Sequence, residues 1–93
     1  MVVGVLTISL EIPAANSLKD KRQVVKSLID GIRNRFNVSA AEVDDNDVWR
    51  RATFGVSCVS NDQRVANHVL DKVVDFVESH PEVSVAQADL EFL

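Results

Sequence analysis

The chain contains few of the residues from which small proteins build disulfides and metal sites. Of its 93 residues only one is cysteine, Cys58, and only two are histidine. A single cysteine cannot form an internal disulfide, and the paired Cys and His ligands of a zinc site are missing. Cys58 lies in an alternating segment, which predicts a buried structural thiol. We therefore expect no metal and no cofactor.

Long apolar runs and a basic leader are also missing. Residues 2 to 12 are mainly apolar, but Gly4, Thr7, Ser9 and Glu11 interrupt them and no basic region precedes them. A membrane-spanning helix needs about 20 predominantly apolar residues, and a signal peptide begins with a positively charged region. We expect no membrane contact and a cytoplasmic location.

The groups of a hydrolytic active site are not assembled by any recognisable motif. A nucleophilic Ser, Cys or Thr needs a His and an orienting acid, yet His68 and His80 lie on or just beyond a predicted helix. The acidic loop at residues 44 to 47 lacks the Gly and the terminal Glu of a calcium loop, so turn chemistry explains it. The residues favour a binding protein over an enzyme, with no catalytic residue and no metal ligand.

Hydrophobic periodicity predicts six elements in the order strand, helix, strand, strand, helix, strand. Residues 2 to 12 alternate as a half-buried strand does, and Pro13 ends it. Ser17 is a good N-cap for a first helix with one apolar stripe. Ser60 and Gln63 form a candidate capping box for the second helix. The other strands are expected at residues 38 to 43, 53 to 59 and 83 to 92.

Two helices with single apolar stripes and four half-buried strands imply two layers. The helices should cover one face of a four-stranded antiparallel sheet. The element order and right-handed crossovers match the ferredoxin-like βαββαβ arrangement, an α+β fold. A chain of this length with 46% hydrophobic residues fits a single domain, residues 1 to 93.

Charge is distributed unevenly along the chain. The net charge is -4, but residues 1 to 51 carry eight basic and seven acidic side chains, whereas residues 52 to 93 carry two basic and seven acidic ones. Helical geometry places four cations of the first helix on one face. This basic ridge consists of Lys19, Arg22, Lys26 and Arg33. A solvated helix face, a phosphate-contacting ridge for RNA and a surface for an acidic protein all remain open.

The only tryptophan, Trp49, precedes Arg50 and Arg51 in the loop before the third strand. Its ring could pack on the sheet edge, stack on a base or partner protein, or line a small-molecule site. Arg50 and Arg51 should project to opposite sides if the strand begins this early.

Residues 17 to 55 join the basic helix to the acidic loop and the Trp-Arg-Arg sequence, in the run SLKDKRQVVKSLIDGIRNRFNVSAAEVDDNDVWRRATFG. This run closely resembles the signature of DUF503, a small bacterial family of unknown function also called YlxP-like, and the resemblance extends over nearly the whole chain. It implies the same ferredoxin-like fold. Genes of this family commonly lie beside those of translation and ribosome-maturation factors, so the resemblance also implies a task near the ribosome.

Two functions follow as expectations. The first is binding of structured RNA or a ribosomal particle through the basic ridge and the Trp-Arg-Arg loop. Contacts would be to backbone and shape, since the chain has neither an RRM-type aromatic motif nor a KH-type Gly-X-X-Gly loop. The alternative is an oligomerising or regulatory module, such as a homodimer, that binds a protein or small ligand through its open sheet face. We expect on that face Thr7, Ser9, Thr53, Ser57, Val59, Val83, Val85 and Gln87.

Overall fold

The computed structural model describes residues 1–93 and contains the six predicted elements in the predicted order. The sheet has the strand order β2-β3-β1-β4, and every neighbouring pair is antiparallel. The α+β ferredoxin-like fold is thus confirmed. The elements are β1 (Val2–Glu11), α1 (Leu18–Arg35), β2 (Ser39–Asp44), β3 (Arg51–Ser60), α2 (Gln63–Glu78) and β4 (Ser84–Phe92).

One hydrophobic core of 18 buried residues lies between the sheet and the two helices. Alternate residues of the central strands, such as Ile8 in β1 and Phe54 in β3, point towards the helices and are fully buried. The helices contribute stripes that include Leu28 and Leu70. Each such side chain stabilises the fold by about 1.5–3 kcal/mol relative to exposure. No helix covers the other face of the sheet.

The helices approach each other closely at Gly31. A Cβ atom at this position would lie 2.6 Å from the Cζ atom of Phe76. Phe36 meets the same ring edge-on with 6.2 Å between centroids, and the guanidinium of Arg35 lies 4.8 Å above it. The glycine therefore makes room for an aromatic contact between α1 and α2, which offsets its low helix propensity.

The start of α2 differs from the predicted capping box. Its N-cap is Asp62, whose carboxylate accepts a hydrogen bond from the Arg64 N–H at 2.9 Å. Ser60 is the last residue of β3 and accepts from the Asp62 N–H instead. The prediction of Ser60 as the cap was wrong because β3 extends one residue further than expected. The predicted cap of α1 was right, since Ser17 accepts from the Asp20 N–H at 3.1 Å.

A bulge in β4 moves one predicted residue to the opposite face of the sheet. Ser9 pairs with Gln87, but Leu10 pairs with Val85, so β4 has one extra residue at position 86. This extra residue shifts the alternation and turns Val85 towards the helices. Val83 lies before the strand, and both valines pack against the core. Placing them on the open face was therefore wrong, whereas Gln87 does lie there.

None of the helices has the length and apolar character needed to cross a membrane.

Candidate nucleic-acid interface

The four cations of the basic ridge are all exposed on α1, but they differ in their bonding. Lys26 forms an ion pair with Asp30 at 2.7 Å. Arg33 donates to the carbonyl of Ala40 in the edge strand β2 at 2.6 Å. The side chains of Lys19 and Arg22 form neither a hydrogen bond nor an ion pair. Only the N-terminal half of the ridge therefore presents cations that are free to meet an external phosphate.

A fifth cation of α1, Lys21, is buried, with 1% of its surface exposed. Its Nζ lies 2.9 Å from Oε2 of Glu42 in β2 and donates a hydrogen bond to the carbonyl of Asp45. Glu42 can reach it because residues 40 and 42 of β2 face the helices. This ion pair joins the first turn of α1 to the loop between β2 and β3, and removing one partner of such a pair is costly.

Lys21 is not among the four cations that the sequence places on the basic ridge, and its burial was not predicted. The signal was its position in the apolar stripe, three residues after Leu18 and three before Val24. A lysine on that stripe needs a partner, because an unpaired buried charge is strongly unfavourable. Glu42, two residues after the buried Ala40, was the acid on the matching strand face.

The loop between β2 and β3 is held by its own carboxylates. Asp45 has a positive φ of 61°, a conformation that Asp tolerates better than most residues. Its Oδ2 accepts from the Thr53 hydroxyl at 2.9 Å, and its N–H donates to Asp44 Oδ1 at 2.8 Å. These contacts are turn chemistry, as the sequence predicted for the acidic loop.

The Trp-Arg-Arg segment lies beside the beginning of α1. Arg50 donates from Nε to the Ala15 carbonyl at 3.0 Å, and its own carbonyl accepts from the Ile12 N–H at 2.9 Å. Arg51 begins β3 on the open face opposite Glu11, with no ion pair between them. Trp49 is 50% exposed. Arg50 thus serves the fold, while Arg51 and Trp49 are available at the surface.

Together these contacts define a loop–helix end of the molecule, comprising residues 12–22 and 44–51. Lys21 of α1 bonds to Glu42 and to the loop after β2, and Arg50 of that loop bonds to Ala15 before α1, so the two segments are joined from both sides. The free side chains at this end are Lys19, Arg22, Trp49 and Arg51, whereas Arg33 lies about 20 Å further along the helix axis. The sequence-predicted residues are thus divided between the loop–helix end and the rest of α1.

Other candidate chemistry does not converge. No group of three or more His, Cys, Asp or Glu side chains is placed to hold a metal ion. Cys58 is buried, as predicted. His80 Nδ1 accepts a hydrogen bond from the Glu82 N–H at 3.2 Å. Hydrogen bonds from Arg64 lower the pKa of the Asp62 carboxyl, which caps α2.

The chain matches the model of the family described as protein of unknown function (DUF503) over residues 3–90. It is 39% identical over 69 residues to "Uncharacterized protein YlxP" of Bacillus subtilis (strain 168). The aligned region covers 74% of this chain and 75% of the relative.

Among solved structures, a de novo designed protein with a ferredoxin fold superposes with a TM-score of 0.60 at 12% identity, covering 98% of this chain and 85% of that protein. A structural-genomics protein called YJCS superposes with a TM-score of 0.54 at 16% identity, covering 96% of both chains. At these identities the two structures support the fold alone. The sequence matches identify the family, and this chain is a member of DUF503.

Proposed function

We propose that this protein is a non-enzymatic cytoplasmic binding protein that contacts structured RNA or a ribonucleoprotein through its loop–helix end. The contacts of Lys21 and Arg50 carry the proposal. They fix the Trp49 loop against the start of α1, so that a half-exposed indole and three cations without ion pairs project from adjoining segments.

The exposed side chains of the loop–helix end can contact both the phosphates and the bases of a nucleic acid. Lys19, Arg22 and Arg51 can neutralise phosphates, and an exposed indole can stack on an unpaired base. Carboxylates at the loop–helix end repel phosphates and so limit the affinity for RNA. The repulsion is reduced because Asp20, Asp44 and Asp45 accept hydrogen bonds from the chain itself. Binding should therefore be weak and directed to backbone and shape rather than to sequence.

The test is fluorescence anisotropy of labelled, structured ribosomal RNA fragments over a series of salt concentrations. If three phosphates are neutralised, log affinity should fall against log salt with a slope of about -2 to -3. Arg22→Glu should weaken binding about tenfold at low salt and reduce the magnitude of the slope by about one. Trp49→Ala should weaken binding with little change of slope, because stacking releases no counterions.

The matched control is Lys72→Glu, since Lys72 is an exposed helix cation without an ion pair and lies on α2. It makes the same change of net charge and should leave affinity within about twofold, because surface charges beyond a Debye length are largely screened. Equal losses for Arg22→Glu and Lys72→Glu, or no binding by wild type at low salt, would contradict the proposal.

A further inference from the structure

The two edges of the sheet are protected to different extents. At one edge β2 is short, and Arg33 donates to its Ala40 carbonyl. At the other edge β4 has nine residues, and no side chain of the protein hydrogen-bonds to its backbone. Its outward N–H and C=O groups are therefore available to another chain, as in any exposed edge strand.

The helical layer leaves the flank of β4 uncovered. Ala88 faces the helices, as its pairing with the buried Ile8 shows, yet it is exposed. Beside it runs a groove of about 420 Å³ between α2 and β4. Its apolar lining consists of Leu6, Leu70, Val74, Ala88 and Leu90. The apolar floor thus lies directly beside the free edge.

Acidic side chains lie along the α2 side of this groove and along the open face of β4. Asp71, Asp75 and Glu78 line it from α2, because their spacing of four and then three residues places them on one helix face. Asp89 and Glu91 lie on the open face of β4. We call these five residues the acidic margin. None of them forms an ion pair, and Lys72 projects about 100° away from Asp71 around the helix.

We propose that β4 and the groove bind an extended, basic segment of another polypeptide, which adds to the sheet as a fifth strand. Main-chain hydrogen bonds to β4 would supply affinity, and alternate side chains would supply specificity. One set would cover Leu90 and Ala88 in the groove, and the other would lie beside Asp89 and Glu91. The favoured ligand therefore alternates apolar and basic residues over about five to nine positions.

The negative charge of the acidic margin favours a basic peptide segment over a second copy of this chain or RNA. A second copy paired edge to edge would bring two acidic margins together, and like charges opposite each other are destabilising. RNA would meet the same repulsion. This surface is separate from the loop–helix end, so its test is independent of the proposed function.

The test uses anisotropy titrations with three fluorescein-labelled peptides of eight residues each. The first alternates Val and Arg. The second has the same composition but places all Val residues before all Arg residues, and the third alternates Val and Glu. We expect the alternating Val-Arg peptide to bind at least about fivefold more tightly than the block peptide, and the Val-Glu peptide not to bind. Asp89→Asn/Glu91→Gln removes the carboxylates beside the Arg side chains and should weaken the Val-Arg peptide about tenfold.

A matched pair of variants locates the site. Ala88→Lys places a cation in the groove and should abolish measurable binding, whereas Ala41→Lys makes the same change at an exposed alanine of β2 and should not affect it. Thermal melting checks that both variants fold. In wild type, peptide should shift the amide resonances of Ser84–Phe92 and spare those of Ser39–Asp44.

Equal affinity for the alternating and block peptides would overturn the proposal, because it would indicate attraction of charge without strand addition. Equal effects of Ala88→Lys and Ala41→Lys would also overturn it. Self-association of Asp89→Asn/Glu91→Gln without peptide binding by wild type would show that these acids only protect the edge strand against aggregation.

Discussion

The loop–helix end and the acidic margin both carry several carboxylates but use them differently. At the loop–helix end the buried Lys21 pairs with Glu42 of the adjoining strand β2, and Asp44 and Asp45 accept hydrogen bonds. In the acidic margin Asp75, Glu78 and Glu91 have no partner. The two regions therefore differ in the bonding of their carboxylates rather than in the number of acids, and only the unbonded acids belong to the surface proposed to bind a partner.

Removal of the Lys21 side chain should have the largest effect. Lys21→Ala would leave a cavity and an unpaired Glu42 carboxylate, so we expect a loss of about 3 kcal/mol in the free energy of unfolding. Asp75→Asn/Glu78→Gln, by contrast, should change stability by less than about 0.5 kcal/mol. Urea denaturation of both variants measures the difference, and a loss below about 1 kcal/mol for Lys21→Ala would place its amine in solvent.

A double variant separates the contribution of Lys21 to stability from its role in positioning the Trp49 loop. Lys21→Met/Glu42→Leu replaces the ion pair with apolar groups of similar size, and such replacements are often neutral or stabilising. We expect it to recover most of the stability lost in Lys21→Ala while the Trp49 loop loses its link to α1. Fluorescence of Trp49, the only indole, reports the loop. An unchanged emission spectrum would contradict the positioning role of Lys21.

A smaller loss is expected from the cap of α1. Ser17→Ala removes the acceptor for the Asp20 N–H and should cost about 1 kcal/mol. Ser17→Asp retains a capping oxygen and is the control, which should stay within about 0.5 kcal/mol of wild type. Equal losses for the two variants would show that the hydroxyl does not cap this helix.

The smallest effect concerns pH and the cap of α2. Because Arg64 lowers the pKa of Asp62 in the folded chain, the Asp62 carboxylate stabilises the fold above its unfolded pKa. That contribution is lost as pH falls through the lowered folded pKa. The difference in stability between wild type and Asp62→Asn, an alternative cap, should shrink below about pH 4. A difference that is constant from neutral to acidic pH would exclude this role of the charge.

The sequence predicted the element order and the core because strand and helix periodicities are local. It missed the orientation of Val85, since the bulge at residue 86 arises from pairing between β1 and β4. It also treated the four ridge cations as equivalent. The bonding of Lys26 was readable from the spacing to Asp30, but the contact of Arg33 with Ala40 depends on how α1 lies over β2.

The cluster around Lys21 was only partly readable. The position of Lys21 in the apolar stripe signals burial, whereas its bond to the Asp45 carbonyl depends on the path of the loop between β2 and β3. For the acidic margin, the sequence showed only that the second half of the chain has a negative net charge. That three of its members line a groove beside a free edge follows only from the packing of α2 against β4.

The central claim is that the loop–helix end, and not the acidic margin, contacts RNA. The most direct measurement is a titration of ¹⁵N-labelled protein with a structured RNA fragment at low salt, followed by the single indole N–H resonance and the backbone amides. We predict shifts at the Trp49 indole and at Lys19, Arg22 and Arg51, with none in Ser84–Phe92. Shifts concentrated in Ser84–Phe92, or an indole resonance that does not move, would contradict the account.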